Sequence, residues 1–129
     1  MNNAVKNNKK RPISPHLTIY RPQITSMLSI FHRITGALLF LSLLVVSWWF
    51  ILFIFSDFKQ QYIDICSFKV FKLLLFLISF CFFYHLSTGI RHLIWDTASL
   101  MSLKFVYITG YCTILSSFTM TAIFWHFIA

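Results

Sequence analysis

Three apolar runs, residues 34–55, 72–94 and 105–127, are each long enough to cross a lipid bilayer as one helix. A hydrocarbon core of roughly 30 Å takes about 20 such residues, and a helix satisfies its own backbone hydrogen bonds where no water can. Hydrophobic residues make up 58% of the chain and charged residues 11%, more apolar surface than a soluble domain of this size hides in one small core. The sequence therefore predicts an all-α membrane protein. One three-helix transmembrane domain is expected over 23–129, preceded by a basic tail and extended arm over 1–22.

The polar start is followed by a long apolar run without a small-residue cleavage pattern, which does not match a secretory signal peptide. The tail is also too poor in Arg and Ser for a transit peptide, so the first helix is expected to stay in the mature protein. Residues 1–10 are rich in Asn and Lys, whereas Pro12, Pro15 and Pro22 favour extended backbone in the arm. Mixing Leu17, Ile19 and Tyr20 with His16 and Arg21, that arm suits either the membrane surface or a partner on the inner side. Thr25 or Ser26 can then cap a helix that runs a turn or two before entering the membrane. No internal repeat stands out.

A net charge of +8 raises the question of nucleic acid, but its distribution points elsewhere. Lys6, Lys9, Lys10, Arg11, Arg21 and Arg33 precede the first span with no acid among them, and Arg91 and Lys104 share their side of the membrane. Lys59, Lys69 and Lys72 lie on the other, diluted by Asp57 and Asp64. The positive-inside rule places the N-terminus inside and the C-terminus outside, so the charge is a topology signal with membrane lipids as its partner. Cys66, Cys81 and Cys112 have no metal-like spacing and are expected to be buried free thiols. Trp48, Trp49 and the many Phe residues are expected to face lipid or neighbouring helices.

Against this oily background the stretch HLSTGIRHLIWD, His85 to Asp96, carries two histidines, an arginine and a glycine. Ionisable groups at such depth are costly and usually mark function. His85 lies about 20 Å from one end of the second helix and about 14 Å from the other. Gly89 and His92 follow at i+4 and i+7 on the same face, with Gly89 leaving a flat opening beside the imidazole. An axial haem ligand fits, because a porphyrin must approach a helix closely to be reached by a neutral imidazole. A packing hydrogen bond to another helix and a proton relay also fit. A haem with two strong axial ligands needs a second histidine. His126 lies at the outer end of the third helix, and His16 and His32 precede the first span, so the other ligand would come from a partner subunit. His92, at the inner boundary, suits a propionate or lipid headgroup better than the iron.

At the inner end of the first helix, SMLSIFHRITG places Ser29 and Arg33 at i and i+4 with His32 beside them. Hydrogen-bond donors, positive charge and apolar walls are what a quinone headgroup and its tail need. An arginine at this level is equally an ordinary interfacial anchor, and the residues alone leave both uses open.

Together, RPISPHLTIYRPQITSMLSIFHRITG (Arg11 to Gly36) and HLSTGIRHLIWD resemble the two signatures of the large membrane-anchor, cytochrome b subunit of succinate dehydrogenase, respiratory complex II. The resemblance implies that His85 is the axial ligand of haem b, with the second histidine supplied by a smaller anchor subunit that completes the helical bundle. It implies that Ser29 and Arg33 help form the ubiquinone site near the iron–sulfur subunit, and that His32, Arg33 and His92 contact haem propionates. Gly89, Arg91, His92 and Asp96 complete the second motif, with helix packing, propionate or headgroup contacts and an inner-boundary ion pair expected of them. Succinate oxidation at a flavin would belong to the flavoprotein subunit, reached through the iron–sulfur subunit; no catalytic residue for it is expected here. The tricarboxylic acid cycle, aerobic electron transport and an inner membrane, that of a bacterium or of an organelle, follow from the same resemblance. A fumarate reductase-type anchor using menaquinone and a purely structural anchor without haem are the alternatives.

Overall fold

The protein is described here by a computed structural model, in which residues 22–55, 60, 64, 65, 68–98 and 102–128 are described. Three helices carry nearly all of them: α1 (Ile24–Phe55), α2 (Lys69–Asp96) and α3 (Leu103–Ile128). Each is long and apolar enough to cross a membrane, and among the described residues there is no strand. Except for Pro22, the arm expected over 1–22 lies outside the described residues, as does Cys66.

The 32 residues of α1 extend about 48 Å at 1.5 Å per residue, so the turns expected ahead of the first span are continuous with it. The helix opens two residues after Pro22, where the Met27 amide donates to the Gln23 carbonyl at 3.1 Å. Thr25 and Ser26, expected as caps, instead lie within the first turn. At its other end, α2 closes through Ala98, whose left-handed φ of 55° lets its amide donate to the Trp95 carbonyl at 2.9 Å.

α2 packs against both neighbours, while α1 and α3 touch more sparingly. The seams are built from small polar residues: Thr35, Ser87, Thr88, Thr113, Ser117 and Thr121 are buried, whereas Leu28 and Tyr84 are the buried large apolar residues among those described. Lipid tails are as apolar as leucine, so helices gain little by burying leucine against each other and associate through small residues that let backbones approach. All of these small-residue hydroxyls except Ser87, which pairs with Ser116 on α3, bond to their own helix. Thr88 donates to Tyr84 O at 2.7 Å, Ser117 to Thr113 O at 2.6 Å and Thr121 to Ser117 O at 2.7 Å, which removes the cost of burying them. Cys81 is half-buried. Cys112, expected buried, is exposed because it lies off the Gly110–Thr113–Ser117–Thr121 face that α3 turns inward.

In the half of the bundle away from Ile24, α1 and α2 line an open apolar groove of about 860 Å³, formed by Leu38, Ser42, Val45, Leu74 and Cys81 with Lys72 among its lining. Where α1 meets α3, a Cβ on Gly110 would stand 3.1 Å from Ile24 Cδ1 and 3.2 Å from Leu28 Cδ1. Gly110→Val should therefore push α1 off α3 and cost about 1–3 kcal/mol. A lowered midpoint in detergent denaturation checks this; an unchanged midpoint would contradict the close approach.

Candidate functional site

The segment His-Arg-Ile-Thr-Gly ends the first motif and His-Leu-Ser-Thr-Gly opens the second, so His32, Thr35 and Gly36 on α1 share their spacing with His85, Thr88 and Gly89 on α2. The helices run antiparallel, and the two segments clasp one another reciprocally. Each histidine meets the other's threonine: His32 Nδ1 lies 2.7 Å from Thr88 Oγ1, and His85 Nδ1 lies 3.3 Å from Thr35 Oγ1. Each also faces the other's glycine, with a Cβ at Gly36 falling 2.9 Å from His85 Cε1 and one at Gly89 falling 3.8 Å from His32 Cε1. Between them the imidazoles stack with centroids 3.9 Å apart and planes 9° from parallel. This two-copy pattern is the internal repeat that inspection of the sequence overlooks, because five residues with two variable positions carry little signal until the helices are paired.

His85 Nδ1 also lies 3.1 Å from the backbone carbonyl of His32. A carbonyl only accepts, so Nδ1 carries the proton and Nε2 keeps its lone pair. Nε2 makes no hydrogen bond among the described residues. An imidazole whose Nδ1–H is held by a backbone carbonyl, with its other nitrogen bare, is oriented as metal-bound histidines are, and Gly36 is what allows the ring to lie this close to α1. The flat opening expected at Gly89 exists, but the His32 ring fills it.

Of the other expected residues, His92 joins the cluster edge-on to His32 at 5.1 Å. Ser29 is half-buried and Arg33 exposed; they sit beside the His32 stripe of α1, and neither makes a hydrogen bond among the described residues. The structure thus brings His32, His85 and His92 together and leaves Ser29 and Arg33 outside that cluster, on the flank of α1. Tyr84, not singled out from sequence, spans the seam by donating to Leu28 O at 3.3 Å.

Arg91 takes up helix packing, one of the roles expected of the second motif. Asp96 lies five residues on, roughly 140° around the helix, and among the described residues no ion pair joins them. The buried guanidinium instead turns to α3, donating from Nε to Thr109 Oγ1 at 3.1 Å and from Nη2 to Val106 O at 2.9 Å, while stacking 3.9 Å over the Trp95 ring. It is a staple between α2 and α3.

A protein family described as succinate dehydrogenase/fumarate reductase transmembrane subunit matches residues 7–124, a span that includes both motifs. The succinate dehydrogenase cytochrome b556 subunit of Rickettsia conorii is 45% identical over 116 residues, covering 90% of this chain and 91% of its own. That of Rickettsia bellii is 48% identical over 117 residues, with the same coverage of both chains. The succinate dehydrogenase cytochrome b560 subunit of Reclinomonas americana is 40% identical over 125 residues, covering 92% and 86%.

The staple's geometry generates one expectation. Arg91→Met should loosen α2 from α3, and Arg91→Lys should not restore it, because an ammonium cannot reproduce the planar fork and ring stacking of guanidinium. Denaturation midpoints lowered in both variants are expected; a Lys variant at the wild-type midpoint would show that charge alone suffices.

Proposed function

As the chain belongs to the succinate dehydrogenase/fumarate reductase transmembrane-subunit family, we propose that it is the cytochrome b anchor of a succinate dehydrogenase, holding haem b through His85 and forming part of the ubiquinone-reducing site. It is a multi-pass protein of the inner membrane. Its N-terminal arm and the ends carrying His92 and Arg91 lie on the inner side, where an iron–sulfur subunit docks and passes on electrons from the flavoprotein.

The observation that carries the haem assignment is the state of His85: its Nδ1–H is tied to the His32 carbonyl, its Nε2 is bare, and Gly36 clears the space beside it. The donor set fits a haem iron on one side only. His85 would hold the haem from this chain, whereas His32, stacked face to face with it, would not reach the same iron, so a second histidine would come from elsewhere. A smaller anchor subunit supplies that histidine, and its helices cover apolar surface that the three helices here leave exposed. Haem held through His85 would supply a one-electron store.

Arg33 and Ser29 take the quinone. Their side chains are uncommitted within the described residues and lie one turn apart near the start of α1. The hydroxyl can donate to a quinone carbonyl, and the guanidinium stabilises the negative charge that arises as two electrons and two protons convert quinone to quinol.

A dithionite-reduced minus oxidised spectrum of the purified complex tests the haem assignment. A b-type band in the wild type should be lost in His85→Ala and strongly reduced in Gly36→Val, whose side chain collides with the ring, whereas Gly89→Ala should keep it. Full haem content in His85→Ala would sink the assignment. Arg33→Ala is expected to cut quinone reduction at least tenfold, about 1.4 kcal/mol, while succinate oxidation by a soluble dye survives. Ser29→Ala should follow it in milder form, and equal loss of both activities would signal misassembly instead.

A further inference from the structure

The reciprocal clasp gives Thr88 a task beyond packing. Thr88 is 1% exposed, and its oxygen lies 2.7 Å from the Tyr84 carbonyl and 2.7 Å from His32 Nδ1. The hydroxyl has one proton. The carbonyl only accepts, so that proton goes to the α2 backbone, and the Thr88 oxygen in turn accepts from His32 Nδ1–H. Were Nδ1 unprotonated, two lone pairs would face each other at 2.7 Å. Thr88 thereby fixes both the tautomer and the plane of His32, and that plane is pressed flat against His85 with 9° between the rings. On the other side Thr35 repeats the arrangement, its hydroxyl turned to the Phe31 carbonyl at 2.8 Å while its oxygen lies 3.3 Å from His85 Nδ1.

We propose that Thr88 is a positioning residue for the haem ligand: through His32 it sets the rotation of the His85 imidazole about its own axis. This rests on the assignment of His85 as axial ligand. Hydrogen bonds at Nδ1 alone leave a ring free to rock about the bond; a second ring locked flat against its face does not. The angle between two axial imidazole planes governs how the iron d-orbitals split, so the rotation has a spectroscopic signature independent of turnover.

The experiment is low-temperature electron paramagnetic resonance of the oxidised complex from wild type, Thr88→Val and Thr88→Ser. Thr88→Val keeps the shape but can no longer accept from His32, and it should retain haem while its low-field g feature shifts or broadens. Thr88→Ser, which restores the acceptor, should return the wild-type position and width. A Thr88→Val signal identical to wild type at full haem content overturns the proposal, as does failure of Ser to rescue it. Should Thr88→Val not assemble, His32→Phe keeps a flat ring against His85 without the bond to Thr88; a displaced or broadened signal supports the proposal and an unmoved one overturns it. Absence of any haem signal in the wild type would instead remove the ligand assignment itself, and this proposal with it.

Discussion

In a bilayer no water is available to rescue a stranded polar hydrogen, and the helix seams of this protein are arranged around that constraint. The residues that let the helices approach are hydroxyl-bearing or glycine, and Thr35, Thr88, Thr113, Ser117 and Thr121 each give their proton to a carbonyl one turn back on their own helix. That leaves the oxygen free to accept from a neighbour. Thr35 and Thr88 use this spare capacity toward the histidines, and Ser87 accepts from Ser116 across the second seam at 3.1 Å. The same economy governs Arg91, whose buried charge is spread over a hydroxyl, a carbonyl and an indole face instead of an acid.

Much of this architecture is legible in the residues. Apolar run length fixes the number of helices and their ends to within a few positions, and at α1, where the helix begins ten residues ahead of the apolar run, Pro22 and the absence of a breaker between Ile24 and Arg33 mark the early start. The depth of His85 and the company it keeps mark it without coordinates, and the placing of His92 on the same face follows from helical spacing. Ser29 and Arg33 sit on one stripe as their spacing requires.

What the residues conceal is rotation about the helix axes. The direction in which Arg91 points, the exposure of Cys112, and the fact that the His32 ring occupies the opening at Gly89 all depend on which face each helix turns to its neighbour. Helices that are apolar all round give no moment from which to read this. Gly36 illustrates the point: in sequence it is one more small residue in a membrane helix, yet a side chain there would meet the His85 imidazole. Only pairing α1 with α2 shows that the two Thr-Gly steps answer each other.

The connections between helices are unevenly distributed along their length. Polar ties cluster toward the end where α1 begins: His32 with Thr88, His85 with the His32 carbonyl, Tyr84 with Leu28, and Arg91 with Val106 and Thr109. Beyond them, Trp125 donating to Ser79 at 2.8 Å is the far half's counterpart among the described residues, and the groove between α1 and α2 opens there. What joins the helices there is ring against ring, Trp49 with Phe71 at 6.2 Å and Phe76 with Trp125 at 5.8 Å. Such contacts have little direction, so the angular alignment of the imidazoles is written into the polar end of the bundle and owes nothing to the greasy one.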